Sequence, residues 1–337
     1  MKIGVMCKYP WFLAYGGAEV QAEKYVQYCK SMGLDIEFVE HYDNKKKYDI
    51  LHFVGVDRST ENYALSAKQK GVKTVLSPVF YLPESSVFKH QIYRKIFGKT
   101  YKTLESIENC LTVCDKLLPN SKEEEKQLGK IFGPKIEDKC HVIHNGFDTL
   151  NYKKDGDISL GVSRYMLCVA AIEWRKNTLN MLKAYNLSEK KFPLVLIGDF
   201  RGGDKIYESN VKIEIEKSNG SVIHIPFTSD RVLIESYYKN AFAHILPSYV
   251  ETPGISNLEA AYFDNYLIVG DSNPVREYFS GFDVSYVSPD DIKDISEKME
   301  LTYSRFIEDG LNKHHGIDKY HWRTVTKELM KIYRSCM

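Results

Sequence analysis

Two glutamates separated by seven residues give the strongest chemical signal in the sequence. The apolar run 243–247 predicts a buried strand, and Glu251 lies at its end, whereas Glu259 lies in the short helical pattern that follows. Pro253 and Gly254 break the chain between them, so a helix start with free backbone N–H groups is expected there. Such a helix start favours an anion, and carboxylates beside an anion suit a ligand with hydroxyl groups, such as a sugar or a ribose.

The same residues also allow a purely structural interpretation. Ser256 can cap the helix that carries Leu258 and Ala261. The run from Ser256 to Glu259 then matches a capping box, in which the Glu259 carboxylate only closes its own helix start. The local sequence leaves both interpretations open.

Two adjacent cations form a second candidate site. A strand pattern over Tyr165–Ala171 is followed by the polar segment Glu173–Asn177 and then by a helical pattern. Cations at the carboxyl end of a strand can neutralise a diphosphate leaving group, so Arg175 and Lys176 are catalytic candidates. For Arg175 the alternative is a surface ion pair with Glu173.

Glycines follow the first strand pattern, Lys2–Cys7. Gly16 and Gly17 precede Ala18-Glu19 and open a helical pattern. Glycines at this turn allow a backbone to approach a ligand and leave helix N–H groups available for a phosphate or a sugar. The dinucleotide fingerprint Gly-x-Gly-x-x-Gly is absent here, so a dinucleotide cofactor is not expected.

Strand and helix patterns alternate along both halves of the chain, which predicts an α/β protein with parallel sheets. A length of 337 residues is sufficient for two domains, each with its own hydrophobic core. The segment 149–163 is polar and pattern-free, as an interdomain hinge should be. We therefore expect Rossmann-like domains over residues 1–155 and 156–317, followed by an amphipathic helix over 318–337.

Composition excludes several classes of function. With 46 basic and 45 acidic residues, the chain has almost no net charge, so its overall electrostatic field would not attract nucleic acid. No run approaches the length of a membrane span, and Met1–Val5 leads directly into strand pattern rather than a signal peptide, so a cytoplasmic location is expected.

No metal site is expected from the spacing of potential ligands. The seven cysteines contain no Cys-x-x-Cys pair and are read as reduced thiols. The histidines show no metal-ligand spacing. Asp155-Gly156-Asp157 could hold a metal, but no strand precedes it, so it is interpreted as linker.

Taken in order, these motifs resemble those of the retaining glycosyltransferases of family four, which have the GT-B fold. The resemblance extends over about residues 2–335, and the segments that carry it are Gly16–Glu19, Asn145-Gly146, Arg175–Asn177 and Glu251–Glu259. It implies two Rossmann-like domains facing each other across a cleft, with the C-terminal helix crossing back to the first domain. It also implies that the first domain binds the acceptor and the second the nucleotide-sugar donor.

The resemblance assigns roles to individual residues. Glu251, also a catalytic candidate, would meet the donor sugar, Glu259 the ribose, Lys176 and Arg175 the phosphates, and Phe227 the base. The implied donor-binding set is Gly16, Gly17, Arg175, Lys176, Phe227, Glu251, Gly254, Ile255, Ser256, Asn257 and Glu259. Two family features are missing, since Ser77-Pro78 stands where many relatives have a histidine and Ala171 where they often have an arginine.

The implied activity is a retaining, metal-independent transfer of a sugar from a nucleotide-sugar, with a UDP-sugar favoured and GDP-mannose next. The acceptor would be a saccharide or a lipid-linked saccharide in bacterial surface polysaccharide synthesis. Two alternatives stay open: a nucleotide-sugar epimerase of the same fold, and a non-catalytic protein that binds a nucleotide or a glycan.

Residues 84–104 interleave basic side chains with aromatic and aliphatic ones at helical spacing. The basic members are Lys89, Arg94, Lys95, Lys99 and Lys102, and the apolar ones include Phe88, Ile92, Tyr93, Ile96, Phe97 and Tyr101. Such a segment can lie on an anionic bilayer, which would place the protein at the inner face of the plasma membrane. The alternative is a surface helix packed on its own domain.

Overall fold

The computed structural model describes residues 1–7, 16–40, 45–98, 100–149, 164–189 and 192–337. These residues form two compact units. The first unit contains Met1–Gly146 together with Lys319–Met337, and the second contains Phe147–Asp318. Nearly all of the predicted hinge, including Asp155-Gly156-Asp157, lies outside the described residues.

The first unit is built on a five-stranded parallel sheet with the order β2-β1-β3-β4-β5. Its elements up to Gly146 are β1 Lys2–Cys7, α1 Gly17–Ser31, β2 Asp35–Phe38, β3 Ile50–Val54, α2 Arg58–Gln69, β4 Lys73–Ser77, α3 Glu84–Phe97, α4 Lys102–Val113, β5 Lys116–Leu117, α5 Lys122–Phe132 and α6 Pro134–Glu137. The apolar residues of Cys140–His144 are typical of a strand that leads into the Asn145-Gly146 turn, but only an isolated bridge between Leu117 and Cys140 forms there.

The second unit contains a six-stranded parallel sheet with the order β11-β10-β9-β6-β7-β8. Its elements are β6 Tyr165–Val169, a 3₁₀ turn Trp174–Lys176, α7 Thr178–Leu187, β7 Leu194–Ile197, α8 Lys205–Lys217, β8 Val222–Ile225, α9 Arg231–Asn240, β9 Ala241–Leu246, α10 Ile255–Tyr262, β10 Tyr266–Gly270, α11 Asn273–Tyr278, β11 Val284–Val287 and α12 Ile292–Asp309. A 3₁₀ turn Ile317–Tyr320 and α13 Trp322–Ser335 end the chain.

Strands β7, β9 and β10 are buried along their whole length, as expected for a parallel sheet covered on both faces. The pattern Ser288-Pro289-Asp290-Asp291 predicts a helix with proline at its first position, and this start is wrong. Pro289 precedes the helix instead of occupying its first position, because the carboxylate of Asp291 accepts hydrogen bonds from the N–H groups of Lys293 and Asp294 and so begins the helix at Ile292.

Helix α13 packs within the first unit and completes its core. Its buried side chains include Trp322, Leu329 and Tyr333. Trp322 makes an edge contact with Tyr25, and the Tyr333 hydroxyl lies 2.6 Å from Nδ1 of the fully buried His52. Burial lowers the pKa of His52 to about 3, so this ring is a neutral core residue.

The segment 84–104 forms two helices rather than one. Gly98 adopts a left-handed conformation and ends α3, and α4 begins at Lys102. Val87 and His90 hold α3 against the first unit. No described helix is both long enough and apolar enough to cross a bilayer.

Candidate functional site

The candidate site lies at the carboxyl edge of the second sheet. Strands β6 and β9 are parallel neighbours, so the loops that follow them meet at the same edge. These loops bring Lys176 and Glu251 together: the Lys176 ammonium donates to Oε2 of Glu251. The two side chains are only 15% and 14% exposed, so this is a largely buried ion pair. The structure thus joins two of the predicted catalytic residues, which lie 75 positions apart.

The charge of Glu251 depends on its cationic neighbours. Burial acts to raise the pKa of this carboxyl, but Lys176 first, and then Arg175, oppose that effect and hold the pKa below its ordinary value. Glu251 is therefore ionised at neutral pH in spite of its burial. An ionised carboxylate only accepts hydrogen bonds, which suits it to sugar hydroxyl groups.

Asn177 fixes the turn that carries Lys176. Its φ of 61° is left-handed, a conformation that favours glycine and asparagine. Its side-chain Nδ2 donates to the carbonyl oxygens of Pro247 at 3.0 Å and Pro289 at 2.7 Å. The N–H of Tyr249 also donates to the carbonyl of Arg175 at 3.0 Å. The turn is thus tied to the loop that carries Glu251.

Arg175 forms the surface ion pair with Glu173 that was the predicted alternative to phosphate binding. Its Nε and Nη2 lie 3.1 and 2.9 Å from Oε1 of Glu173, and the side chain is exposed. Its charge still acts on Glu251 through space. Binding of phosphate by Arg175 stays a prediction.

The start of α10 differs from the prediction. The helix begins at Ile255 with Gly254 as its cap, so Ser256 lies inside the helix and does not cap it. Gly254 has a φ of +81°, and a Cβ there would lie 2.8 Å from Nδ2 of Asn257. That amide donates to the carbonyl of Pro253 at 2.8 Å and so holds the loop. The geometry of the loop, rather than a serine hydroxyl, therefore fixes the helix start.

The capping-box interpretation of Glu259 is wrong, because this carboxylate bonds to a different helix. Nη1 of Arg231 donates to its Oε1 at 2.7 Å, and the hydroxyl of Tyr238 donates to its Oε2 at 3.0 Å. Burial opposes the charge of Arg231, yet Glu259 outweighs that effect and raises the pKa of the guanidinium. Both donors come from α9.

Sequence reasoning missed Arg231. The available signal was its position as the first residue of a helix, where the helix dipole disfavours a cation unless an anion lies nearby.

Sequence reasoning also missed His244, which is buried on β9. Burial is the main cause that lowers the pKa of His244 to about 3. Because the Val169 N–H donates to its Nε2 at 3.3 Å, the neutral ring carries its proton on Nδ1.

The remaining predicted residues lie in two places. Phe227 follows β8 at the same edge of the second sheet, and its N–H donates to Oδ1 of Asp199 at 3.1 Å. Gly16 and Gly17 belong to the first unit, at the start of α1. The Gly16 N–H already donates to Oε2 of Glu19 at 2.9 Å, so this group is less available to a ligand than expected.

Among the residues that the structure describes, no three histidine, cysteine or carboxylate side chains cluster closely enough to hold a metal ion. Metal independence of the reaction stays a prediction.

Two parallel-sheet α/β units with a helix-start loop at one sheet edge are typical of GT-B proteins, and solved structures confirm this fold. A protein from Anabaena, Alr3699/HepE, solved in complex with UDP, aligns with a TM-score of 0.77 at 14% identity, covering 99% of this chain and 100% of that one. The lipopolysaccharide outer core galactosyltransferase WaaB aligns with a TM-score of 0.64 at 17% identity over the full length of both chains. At these identities the likeness establishes the fold alone.

The sequence also matches a family directly. Residues 159–319 match the family described as "Glycosyl transferases group 1", a span that covers nearly the whole second unit. The second unit therefore matches a group 1 glycosyltransferase domain, and over these residues the family resemblance predicted from the motifs is confirmed.

One curated relative adds a partial match. It is an N-acetylgalactosamine-N,N'-diacetylbacillosaminyl-diphospho-undecaprenol 4-alpha-N-acetylgalactosaminyltransferase from Campylobacter jejuni subsp. jejuni serotype O:2. It is 26% identical over 182 residues, which make up 53% of this chain and only 43% of the relative.

Proposed function

We propose that this protein is a retaining glycosyltransferase that moves a sugar from a nucleotide-sugar to an acceptor hydroxyl without a metal ion. The observation that carries the proposal is the buried Lys176–Glu251 pair at the carboxyl edge of the sheet, beside the start of α10. It supplies one cation for a diphosphate and one carboxylate for sugar hydroxyls. In this scheme the second unit binds the donor and the first unit the acceptor.

The chemistry would depend on charge that develops at the leaving group. As the bond between the anomeric carbon and the phosphate oxygen breaks, negative charge grows on the diphosphate. Lys176 and the N–H groups at the start of α10 stabilise that charge more than they stabilise the bound donor, which accelerates the reaction. The acceptor oxygen bonds to the anomeric carbon on the face that the diphosphate leaves, and the departing phosphate oxygen takes the proton of the acceptor hydroxyl.

Glu259 would accept hydrogen bonds from the ribose hydroxyls, with Arg231 and Tyr238 holding its carboxylate in place. Phe227, exposed at the same sheet edge, would lie against the base. A UDP-sugar is the favoured donor, with GDP-mannose next. The choice of UDP is supported by the fold neighbour solved with UDP and also with UDP-glucose.

A lipid-linked saccharide is the favoured acceptor, in bacterial surface polysaccharide synthesis. It is supported by the printed names of the Campylobacter relative and of the outer core galactosyltransferase. The first unit offers a matching surface, because Phe88, Ile92 and Ile96 form an exposed apolar row along α3, one helical turn apart. Lys89 and Lys95 are exposed on the same helix. We propose that this row rests on an anionic bilayer at the inner face of the plasma membrane.

Vesicle sedimentation tests the membrane surface. The wild type should sediment with vesicles that contain phosphatidylglycerol and much less with pure phosphatidylcholine. Replacing Phe88, Ile92 and Ile96 together with serine should abolish sedimentation, since about 0.8 kcal/mol of membrane affinity is lost per unburied CH₂. Ile307→Ser, which changes an equally exposed residue on α12 of the second unit, serves as the control. Equal sedimentation of all three proteins would rule out this surface.

The activity is tested by incubating the protein with UDP-, GDP- and dTDP-sugars in excess EDTA and following binding, hydrolysis and isomerisation by NMR. Saturable binding with slow donor hydrolysis is the expected result. Isomerisation without an acceptor would identify an epimerase instead. Binding without any turnover, in the presence of candidate acceptors, would identify a non-catalytic binding protein.

Two variants test the residue roles. Glu251→Gln should lower turnover about 100-fold or more while UDP affinity changes little, because its carboxylate acts on the sugar. Lys176→Ala should weaken binding of UDP itself, since the phosphates lose their cation. Unchanged turnover in the first variant, or unchanged UDP affinity in the second, would contradict the assigned role.

A further inference from the structure

We propose that Trp174 is a stacking platform for the ring of a pyranose substrate, an inference that rests on the proposed function. Its side chain is 62% exposed, although tryptophan is usually well buried. It lies in the 3₁₀ turn that ends at Lys176, at the carboxyl edge of the sheet. The indole packs on one side against Tyr249, with ring centroids 6.0 Å apart and planes at 40°. An apolar surface is therefore displayed two residues from the ion pair.

Hydrogen bonds hold the backbone that carries the indole and the ring of Tyr249 beside it. The hydroxyl of Tyr207 donates to the carbonyl of Glu173 at 3.2 Å, just before the tryptophan. The N–H of Asn177 donates to the carbonyl of Trp174 itself at 3.0 Å. Tyr249 is held in turn by its hydroxyl, which donates to Oδ1 of Asp290 at 2.9 Å. A platform fixed before binding loses little conformational entropy when a ligand stacks on it.

The chemistry of a pyranose matches this arrangement. A pyranose has a rim of hydroxyl groups and a face of C–H groups that carry a small positive charge. Indole has a negative π face that attracts such C–H groups, and Glu251 offers an acceptor for the hydroxyls. A site for a sugar needs both kinds of contact, and Trp174 supplies the apolar one. A nucleobase has a different candidate partner in Phe227, on the loop after β8.

The ring on the platform can belong to the donor or to the acceptor, and kinetics of the full chain distinguish these sources. In Trp174→Ala we expect KM for the stacked substrate to rise about tenfold, the range of one lost aromatic stack, while the affinity for UDP stays unchanged. A raised KM in acceptor-free hydrolysis identifies the donor sugar, and a raised KM for the acceptor alone identifies the acceptor. Trp174→Phe should restore most of the loss.

A second readout does not depend on turnover, so it separates this inference from the proposed function. The indole N–H signal of Trp174 is assigned by its loss in Trp174→Phe and followed while UDP and methyl pyranosides are added. Saturable shifts with a pyranoside, alone or with UDP, support the platform even if no transfer is found. Ile307→Ala, which alters a residue 64% exposed on α12, is the control and should leave the shifts intact. The inference is overturned if the signal shifts with UDP only, or if it shifts with no pyranoside. It is also overturned if the wild type binds UDP more tightly than Trp174→Ala does.

Discussion

At the scale of single residues, the site depends on charges that stabilise one another. Lys176 opposes the effect of burial on the pKa of Glu251, and an ammonium as buried as that of Lys176 needs an anion nearby. A donor diphosphate would provide a second anion for the same ammonium. The ion pair thus holds the Lys176 side chain in place while no donor is bound.

Lys176→Met should raise the pKa of Glu251 above its ordinary value near 4.5, because burial remains while the main opposing cause is lost. In the wild type the lowered pKa means that the pair stabilises the fold above about pH 4.5 and that this contribution fades as pH falls. An NMR titration of the Glu251 carboxyl carbon measures the shift, and Arg175→Met should raise the same pKa by a smaller amount. An unchanged titration in Lys176→Met would refute this account of the site.

Glu259 illustrates how little a local pattern reveals about the tertiary contacts of a residue. Its position seven intervening residues after Glu251 marked it as a candidate, whereas its position three residues after Ser256 allowed a capping box. Its actual partners, Arg231 and Tyr238, lie 28 and 21 positions away on another helix. No local sequence pattern around Glu259 predicts its pairing with Arg231 and Tyr238.

At the scale of elements, the turn after β6 shows why a lysine is followed by an asparagine. The left-handed conformation at Asn177 admits glycine or asparagine without much strain, but only asparagine also bonds to the carbonyls of Pro247 and Pro289. The side chain therefore joins three loops at the carboxyl edge of one sheet. This explains how the backbone beside Lys176 is kept rigid.

Replacing Asn177 should separate these two contributions. Asn177→Gly keeps the conformation and loses two hydrogen bonds, so we expect about 2 kcal/mol less stability. Asn177→Ala adds the left-handed penalty of about 1 kcal/mol and should be the less stable of the two. Thermal unfolding measures both variants. Asn177→Ala as stable as Asn177→Gly would show that the conformation at this position is not left-handed in solution.

At the scale of the whole molecule, the first unit is not continuous in sequence. Its core contains Trp322, Leu329 and Tyr333 from the end of the chain, packed with residues near the beginning such as Tyr25 and His52. The second unit is formed by the residues between these segments. Stability of the first unit should therefore depend on the last helix.

Deleting residues 322–337 should unfold the first unit and spare the second. Truncation of one buried aromatic costs about 3–5 kcal/mol, so losing all of α13 exceeds the roughly 5–15 kcal/mol that stabilises a typical domain. Hydrogen exchange should rise throughout β1, β3 and β4 and stay slow in β7, β9 and β10. Deletion of residues 336–337 alone is the control. Slow exchange in β1 after the longer deletion would contradict this dependence.

The sequence by itself determined the α/β class and the positions of most strands, and it proposed the segments of the candidate site. These follow from local signals: apolar runs mark buried strands, and prolines and glycines mark the loops between them. The sequence was wrong where two local signals competed, as at Gly254 and Ser256, because both residues can begin a helix and the surrounding loop decided between them.

Only the tertiary structure decided which charges meet. Lys176 and Glu251 are brought together because β6 and β9 are neighbours in the sheet, an order that no local pattern encodes. The same holds for Arg231 with Glu259 and for the exposed indole of Trp174 against Tyr249. Local preferences act over a few residues, whereas these pairings depend on how buried strands pack across the whole unit. The sequence therefore identified most of the candidate residues, and the packing of the sheet brought Lys176 and Glu251 together.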